Sequence, residues 1–112
     1  MSETSSTRTN RRLTARHACH LTVRYRLGND WHPATAMDLS MRGCRLRLGE
    51  DLPREGAVAV AFESPRDPEG RTLEVEVAGA VIWSRREGLS FQAGIHFQDS
   101  PDVLEQILNA VA

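Results

Sequence analysis

Lysine is absent from this 112-residue chain; all fourteen basic side chains are arginine. Arginine-biased codon usage accounts for the missing lysines, but not for where the arginines cluster. Cysteine is scarce. Cys19 and Cys44 are the only two, and they read as free, small, buried thiols in a reducing compartment rather than as a disulfide. No apolar run approaches the roughly 20 residues that span a bilayer, so membrane insertion is not expected. The opening MSETSSTRTN carries no apolar segment of the secretory kind, and a cytoplasmic location is expected. Aromatic residues are only 5% of the chain, so a tryptophan at a strand end, Trp83, is a candidate stacking platform for a base. A Gly-rich phosphate loop is also missing, and Ser40 has no recognisable histidine partner for nucleophilic work, which argues against an enzyme.

What is present is an ordinary globular mixture, 40% hydrophobic and 26% charged, at the length of one domain. The formal net charge of −1 hides an asymmetry. Residues 1–26 hold six arginines (Arg8, Arg11, Arg12, Arg16, Arg24 and Arg26) against Glu3 alone, a surplus of +5. Residues 27–112 hold eight arginines against fourteen acids, a deficit of −6. Guanidinium groups concentrated at the amino terminus suit an anion, because each offers a planar fork of donors to phosphate.

Residues 1–10 contain no apolar residue after Met1 and read as a disordered basic tail, with the domain occupying 11–112. From there period-two alternation dominates, which indicates an all-β domain. Cys19, Leu21, Val23 and Tyr25 alternate with polar residues, and a turn at Gly28-Asn29-Asp30 leads to a strand from Trp31 to Leu39. Cys44, Leu46 and Leu48 alternate with Arg45 and Arg47, predicting a half-buried strand with a charged outer face. Val58, Val60 and Phe62 form the next apolar face, and Ser64 to Gly70 is too rich in Pro and Gly for a ladder. Leu73, Val75 and Val77 open a strand that continues through Trp83, and Phe91, Ala93, Ile95 and Phe97 make the last. Only about 101–111 has helical spacing, with Val103, Leu104, Ile107, Leu108 and Val111 on one stripe. Ser100 suits the N-cap and Pro101 the first helical position. Five or six short strands plus one amphipathic helix predict a small closed barrel with the helix laid against it, since closure removes exposed edges.

Three features on this scaffold bear on chemistry. Arg12 and Arg16, four residues apart, are separated by about 13 Å when extended but by about 6 Å in a turn, where they can grip one compact anion; the alternative is a solvated basic tail. Asp38 and Ser40 point to one face of a regular strand, with Met37 and Leu39 on the other. Followed by Gly43, free to adopt positive φ, they offer an acceptor and a donor to a base edge; the alternative is an Asx-type turn closing a hairpin. Trp83, near a strand end, is either a stacking platform for a base or a core residue. It shares parity with Val81, unless a bulge near Gly79 breaks the alternation. His17, Cys19 and His20 do not make a metal site, because Cys19 and His20 fall on opposite faces and no second ligand pair follows.

Taken in order, Arg12-x-x-x-Arg16, Asp38-x-Ser40-x-x-Gly43, Gly79-x-Val81-x-Trp83 and Ala93-Gly94-Ile95-His96-Phe97 resemble a PilZ domain over roughly residues 11–98. The resemblance implies a six-stranded antiparallel barrel and a bacterial receptor for cyclic di-GMP, without enzymatic activity. It implies that Arg12 and Arg16 hold the ligand's phosphates and guanine edges, while Asp38, Ser40 and Gly43 form its other side. Arg11 occupies a position at which, in this family, arginine goes with a stacked pair of ligands, so two cyclic di-GMP per domain are expected. A downstream protein partner and a monomeric state are expected as well, and DNA is not expected as a partner. The competing readings are a PilZ-like adaptor that binds no nucleotide, and a small barrel for RNA or single-stranded DNA that uses the arginine arm and Trp83.

Overall fold

Alternation of small or branched apolar residues with charged ones builds six strands, because only a pleated ladder sends successive side chains to opposite faces. The computed structural model describes residues 15–63, 66, 68–72 and 74–111. Arg11, Arg12, the tail 1–10 and Leu73 lie outside the described residues, as does the side chain of Val111. The strands are β1 (His17–Leu27), β2 (Asp30–Ser40), β3 (Gly43–Leu48), β4 (Ala57–Glu63), β5 (Glu74–Glu87) and β6 (Ser90–Phe97), followed by helix α1 (Asp102–Val111). They close in the order β1-β2-β3-β6-β5-β4 into an antiparallel barrel. The closing seam is short: β1 meets β4 only across Arg24–Ala61, Tyr25–Val60 and Arg26–Ala59.

The interior is the expected apolar face of each strand. Val23, Tyr25, Ala36, Leu39, Cys44, Leu46, Val60, Phe62, Val77, Val81, Ala93 and Ile95 are all buried. Phe62 and Phe97 meet edge to face at 6.0 Å. From α1, Leu104, Ile107 and Leu108 add to this core, consistent with the helical stripe read from the sequence. Ser100 does not cap the helix as expected; its hydroxyl donates to the carbonyl of Met41, tying the start of α1 to the β2–β3 turn.

Strand β4 departs from simple alternation, since Ala59 and Ala61 on its outer side are buried as well. Arg24–Glu74 at 2.7 Å and Arg26–Glu76 at 3.1 Å lie on the strands to either side of them. Both guanidiniums also sit 5.2 Å from the Trp31 ring. Trp31 is thus held in a cation–π network, away from any described contact with Asp38.

Two buried titratable groups give the fold a pH signature. Burial, together with the neighbouring Asp38 carboxylate, pushes the Cys44 thiol far above its ordinary range. Burial and the hydrogen bond donated to Glu50, 2.6 Å long, do the same to Tyr25. Both groups keep their protons when folded and lose them more readily when unfolded. Stability is therefore at its full value below the unfolded pKa values, about 8.5 for Cys and 10 for Tyr, and declines as pH rises above them. Urea unfolding should show this decline above about pH 9, and Tyr25→Phe should flatten its upper part. Because the thiolate is the nucleophile, Cys44 should stay unalkylated by iodoacetamide in the native protein at neutral pH and react on unfolding. Rapid native alkylation would show that the barrel interior opens.

Candidate functional site

Three irregularities in the ladders lie beside the residues singled out in the sequence. The register shifts between Ala18 and Leu21, between Ala36 and Asp38, and between Val81 and Trp83. A bulge adds one residue to one strand and so reverses which way the next side chain points. Ala36 and Leu39 are both fully buried, which strict alternation forbids for residues three apart. The extra residue between them is Met37, and it sends Asp38 outward. The same device acts in β5, though at Ile82 rather than at Gly79 as expected: Val81 is buried, Ile82 is exposed, and Trp83 leaves the core. The Arg54 side chain binds the Ile82 carbonyl at 3.2 Å, occupying the backbone acceptor at the bulge.

These reversals produce one row across the barrel wall. Ala18 pairs with Asp38, Asp38 with Arg45, Arg45 with Gly94, and Gly94 with Trp83. Five strands each contribute one residue. At one end Arg16, just before β1, donates to Asp38 Oδ1 at 2.7 Å. The second carboxylate oxygen lies 3.2 Å from Arg45 Nε. That N–H is not aimed along a hydrogen bond, so the buried Nε has no hydrogen-bond partner. At the other end the Trp83 indole lies against Gly94, where an added Cβ would stand 2.3 Å from Nε1. The Arg85 guanidinium sits 5.0 Å from the Trp83 ring centroid. A carboxylate acceptor, three guanidiniums and a flat ring therefore share one outer face.

Ser40 and Gly43 follow the hairpin-turn alternative rather than the open acceptor–donor pair beside Asp38. Ser40 is 2% exposed, so it does not stand on the open face beside Asp38. Its hydroxyl accepts the backbone N–H groups of Arg42 at 3.1 Å and Gly43 at 3.2 Å, closing the two-residue turn between β2 and β3. Gly43 is not among the residues with positive φ. A Cβ there would lie 2.1 Å from the Ile95 carbonyl oxygen, so glycine is required for β3 to approach β6. Arg42 is exposed, and its carbonyl accepts the Phe97 N–H at 2.8 Å. The turn is thus anchored to β6 by Phe97 and to the start of α1 by Ser100.

Arg45 was legible in the sequence only as part of a charged strand face; its place beside Asp38 comes from pairing. Gln92 carried no sequence signal at all. Cys19 points toward the core and donates to the Ala36 carbonyl at 3.4 Å, while His20 is exposed. Among the described residues no helix is long and apolar enough to cross a membrane.

Comparison with known proteins places this geometry. The chain is similar in structure to the Bacillus subtilis inhibitor of motility MotI/DgrA, with a TM-score of 0.70, 13% identity, and coverage of 86% of this chain and 47% of that one. It is also similar to the Borreliella burgdorferi PlzA protein, solved in complex with c-di-GMP, with a TM-score of 0.61, 9% identity, and coverage of 98% and 53%. It spans about half the length of each, and at these identities the likeness concerns the fold. No curated protein matches. The PilZ domain family model, however, matches residues 10–112, nearly the whole chain including the Asp38–Gly43 turn and the Trp83 wall, and the chain belongs to the PilZ domain family.

Proposed function

We propose that this chain is a bacterial cyclic di-GMP effector that binds its ligand on the outer wall carrying Asp38. One observation carries the reading: Asp38 is held between Arg16 and Arg45 in a cross-strand row that ends on Trp83. Guanine presents N–H donors that suit the carboxylate, and its O6 and N7 suit guanidinium donors. The phosphates suit the arginines of residues 8–16, of which Arg12 and Arg16 are the assigned contacts. The PlzA protein, a structural relative, is solved in complex with c-di-GMP. Ser40 and Gly43 act indirectly, by holding the turn that presents Asp38. Trp83 offers a stacking surface once Arg85 either shifts or stacks between ring and base.

Binding neutralises the basic segment and draws it over the wall, which changes the surface offered to a downstream protein partner. The domain catalyses nothing and works as a cytoplasmic monomer. Arg11 adds a further charge-assisted contact, so that four phosphates of two stacked ligands can be accommodated. Titration calorimetry should show cyclic di-GMP bound in preference to GTP and cyclic di-AMP, at two ligands per domain, falling to one in Arg11→Leu, with affinity decreasing as salt rises. Equal binding of unrelated polyanions would favour a single-strand-binding barrel, and no heat at all would overturn the assignment.

A further inference from the structure

Gln92 stands outside the row from Asp38 to Trp83, yet it is unusual chemically. It lies on β6, in step with Gly94 and out of step with buried Ala93, so it faces the outer wall. It pairs across the ladders with Arg47 of β3 and Arg85 of β5. That row runs parallel to the one holding Arg45, Gly94 and Trp83, two residues earlier on β6. Despite facing outward, Gln92 is only 7% exposed. Its Oε1 is buried and has no hydrogen-bond partner.

An unpaired buried acceptor costs stability, and here two guanidinium-bearing neighbours leave it unpaired. The frame around it is cationic, so the group that satisfies Oε1 belongs to a molecule with both negative charge and N–H donors. A guanine nucleotide combines the two. On its Watson–Crick edge guanine carries adjacent N1–H and N2–H donors, whereas adenine carries a single N6 amino group beside an acceptor.

We infer that Gln92 is a specificity-determining residue, its Oε1 accepting the N1–H/N2–H edge of a guanine seated over Trp83. This rests on the cyclic di-GMP reading and deepens it: Asp38 and the arginines supply attraction, and Gln92 supplies discrimination between bases. Guanine sets two adjacent N–H donors against Oε1, whereas adenine sets one donor and one ring lone pair against it, and a site whose buried polar atom is left poorly paired rejects the wrong base. Oε1 is buried, so a neighbouring side chain must shift for a base to reach it, and Arg85, paired with Gln92 across the ladder and 5.0 Å from the Trp83 ring, is the neighbour placed between the two.

The test compares wild type, Gln92→Met and Gln92→Glu by calorimetry with cyclic di-GMP and cyclic di-AMP, alongside thermal unfolding without ligand. Gln92→Met, which keeps the volume and removes the acceptor, should lower the preference for cyclic di-GMP on the order of tenfold. Gln92→Glu, which keeps an acceptor, should retain that preference. Without ligand, Gln92→Met should melt no lower than wild type, because an unpaired polar atom has been removed; a purely structural glutamine would give a lower melting temperature. A wild type that binds cyclic di-GMP, with a Gln92→Met variant that keeps the same selectivity, overturns this inference alone. A wild type that binds no cyclic di-GMP overturns the parent reading and this one together.

Discussion

Gly43→Ala should destabilise the barrel by several kcal/mol, about 3 or more, the range of severe backbone clashes and overpacking. The added Cβ would stand 2.1 Å from the Ile95 carbonyl oxygen and 3.2 Å from its carbon. Both are backbone atoms, so no rotamer change relieves the contact, and β3 must part from β6 where Gly43 pairs with His96. The turn closed by the Ser40 hydroxyl shifts with it, and with the turn the register that places Asp38 beside Arg45. Gly28→Ala is the control: Gly28 sits at φ 72 with nothing near its missing Cβ. It should cost only about 1 kcal/mol, the penalty of a left-handed conformation for an L residue. Gly94→Ala falls between them, because its Cβ meets the movable Trp83 side chain rather than backbone. Urea unfolding of the three variants checks the order. A Gly43→Ala protein within 1 kcal/mol of the Gly28→Ala protein would remove the close-approach explanation.

Asp38→Ala should abolish most cyclic di-GMP affinity while scarcely changing stability. Its carboxylate holds Arg16 at 2.7 Å and lies 3.2 Å from Arg45 Nε. Arg16 is half exposed, so for folding this ion pair contributes little, about 0–1 kcal/mol. For binding, two opposing effects must be weighed. Removing a negative charge lowers repulsion of the phosphates, by about 0.5 kcal/mol for unit charges about 8 Å apart in water, and less with salt. Against that, in the proposed mode of binding the guanine N–H groups lose their charged acceptor, and Arg16 loses the group that holds it. Hydrogen bonds to charged groups are each worth about 1.5–3 kcal/mol, so the loss exceeds the gain severalfold. An affinity drop of about 100-fold is expected, with Asp38→Asn intermediate because it keeps one acceptor oxygen. Calorimetry at low and high salt measures this. An Asp38→Ala protein that binds as tightly as wild type would place the ligand elsewhere on the molecule.

Much of the architecture was legible in the chain before any coordinates. Val23 and Tyr25, then Cys44, Leu46 and Leu48, then Val75 and Val77 alternate with polar residues without interruption, and each set lies in a strand and is buried. Leu104, Ile107 and Leu108 show helical spacing and are buried in α1. The order of the short motifs identified the family. These features are local, written in spacings of two to four residues, and local spacing is what a pleat or a helical turn reads.

The candidate site was not legible in that way. Strict alternation put Ser40 beside Asp38 on an open face and left Trp83 between core and surface. Asp38 does face outward, but the buried turn withdraws Ser40 from that face and the bulge at Ile82 takes Trp83 out of the core. A bulge is one residue of mismatch between partner strands, and its cause lies in the partner's contacts, not in the bulged stretch itself. The row from Asp38 through Arg45 and Gly94 to Trp83 joins residues up to 56 positions apart, and Gln92 acquires meaning only from Arg47 and Arg85 on either side. Periodicity announces the faces of each strand, but which outward side chains become neighbours depends on how the barrel closes, because hydrogen-bonded registry between distant strands sets those distances.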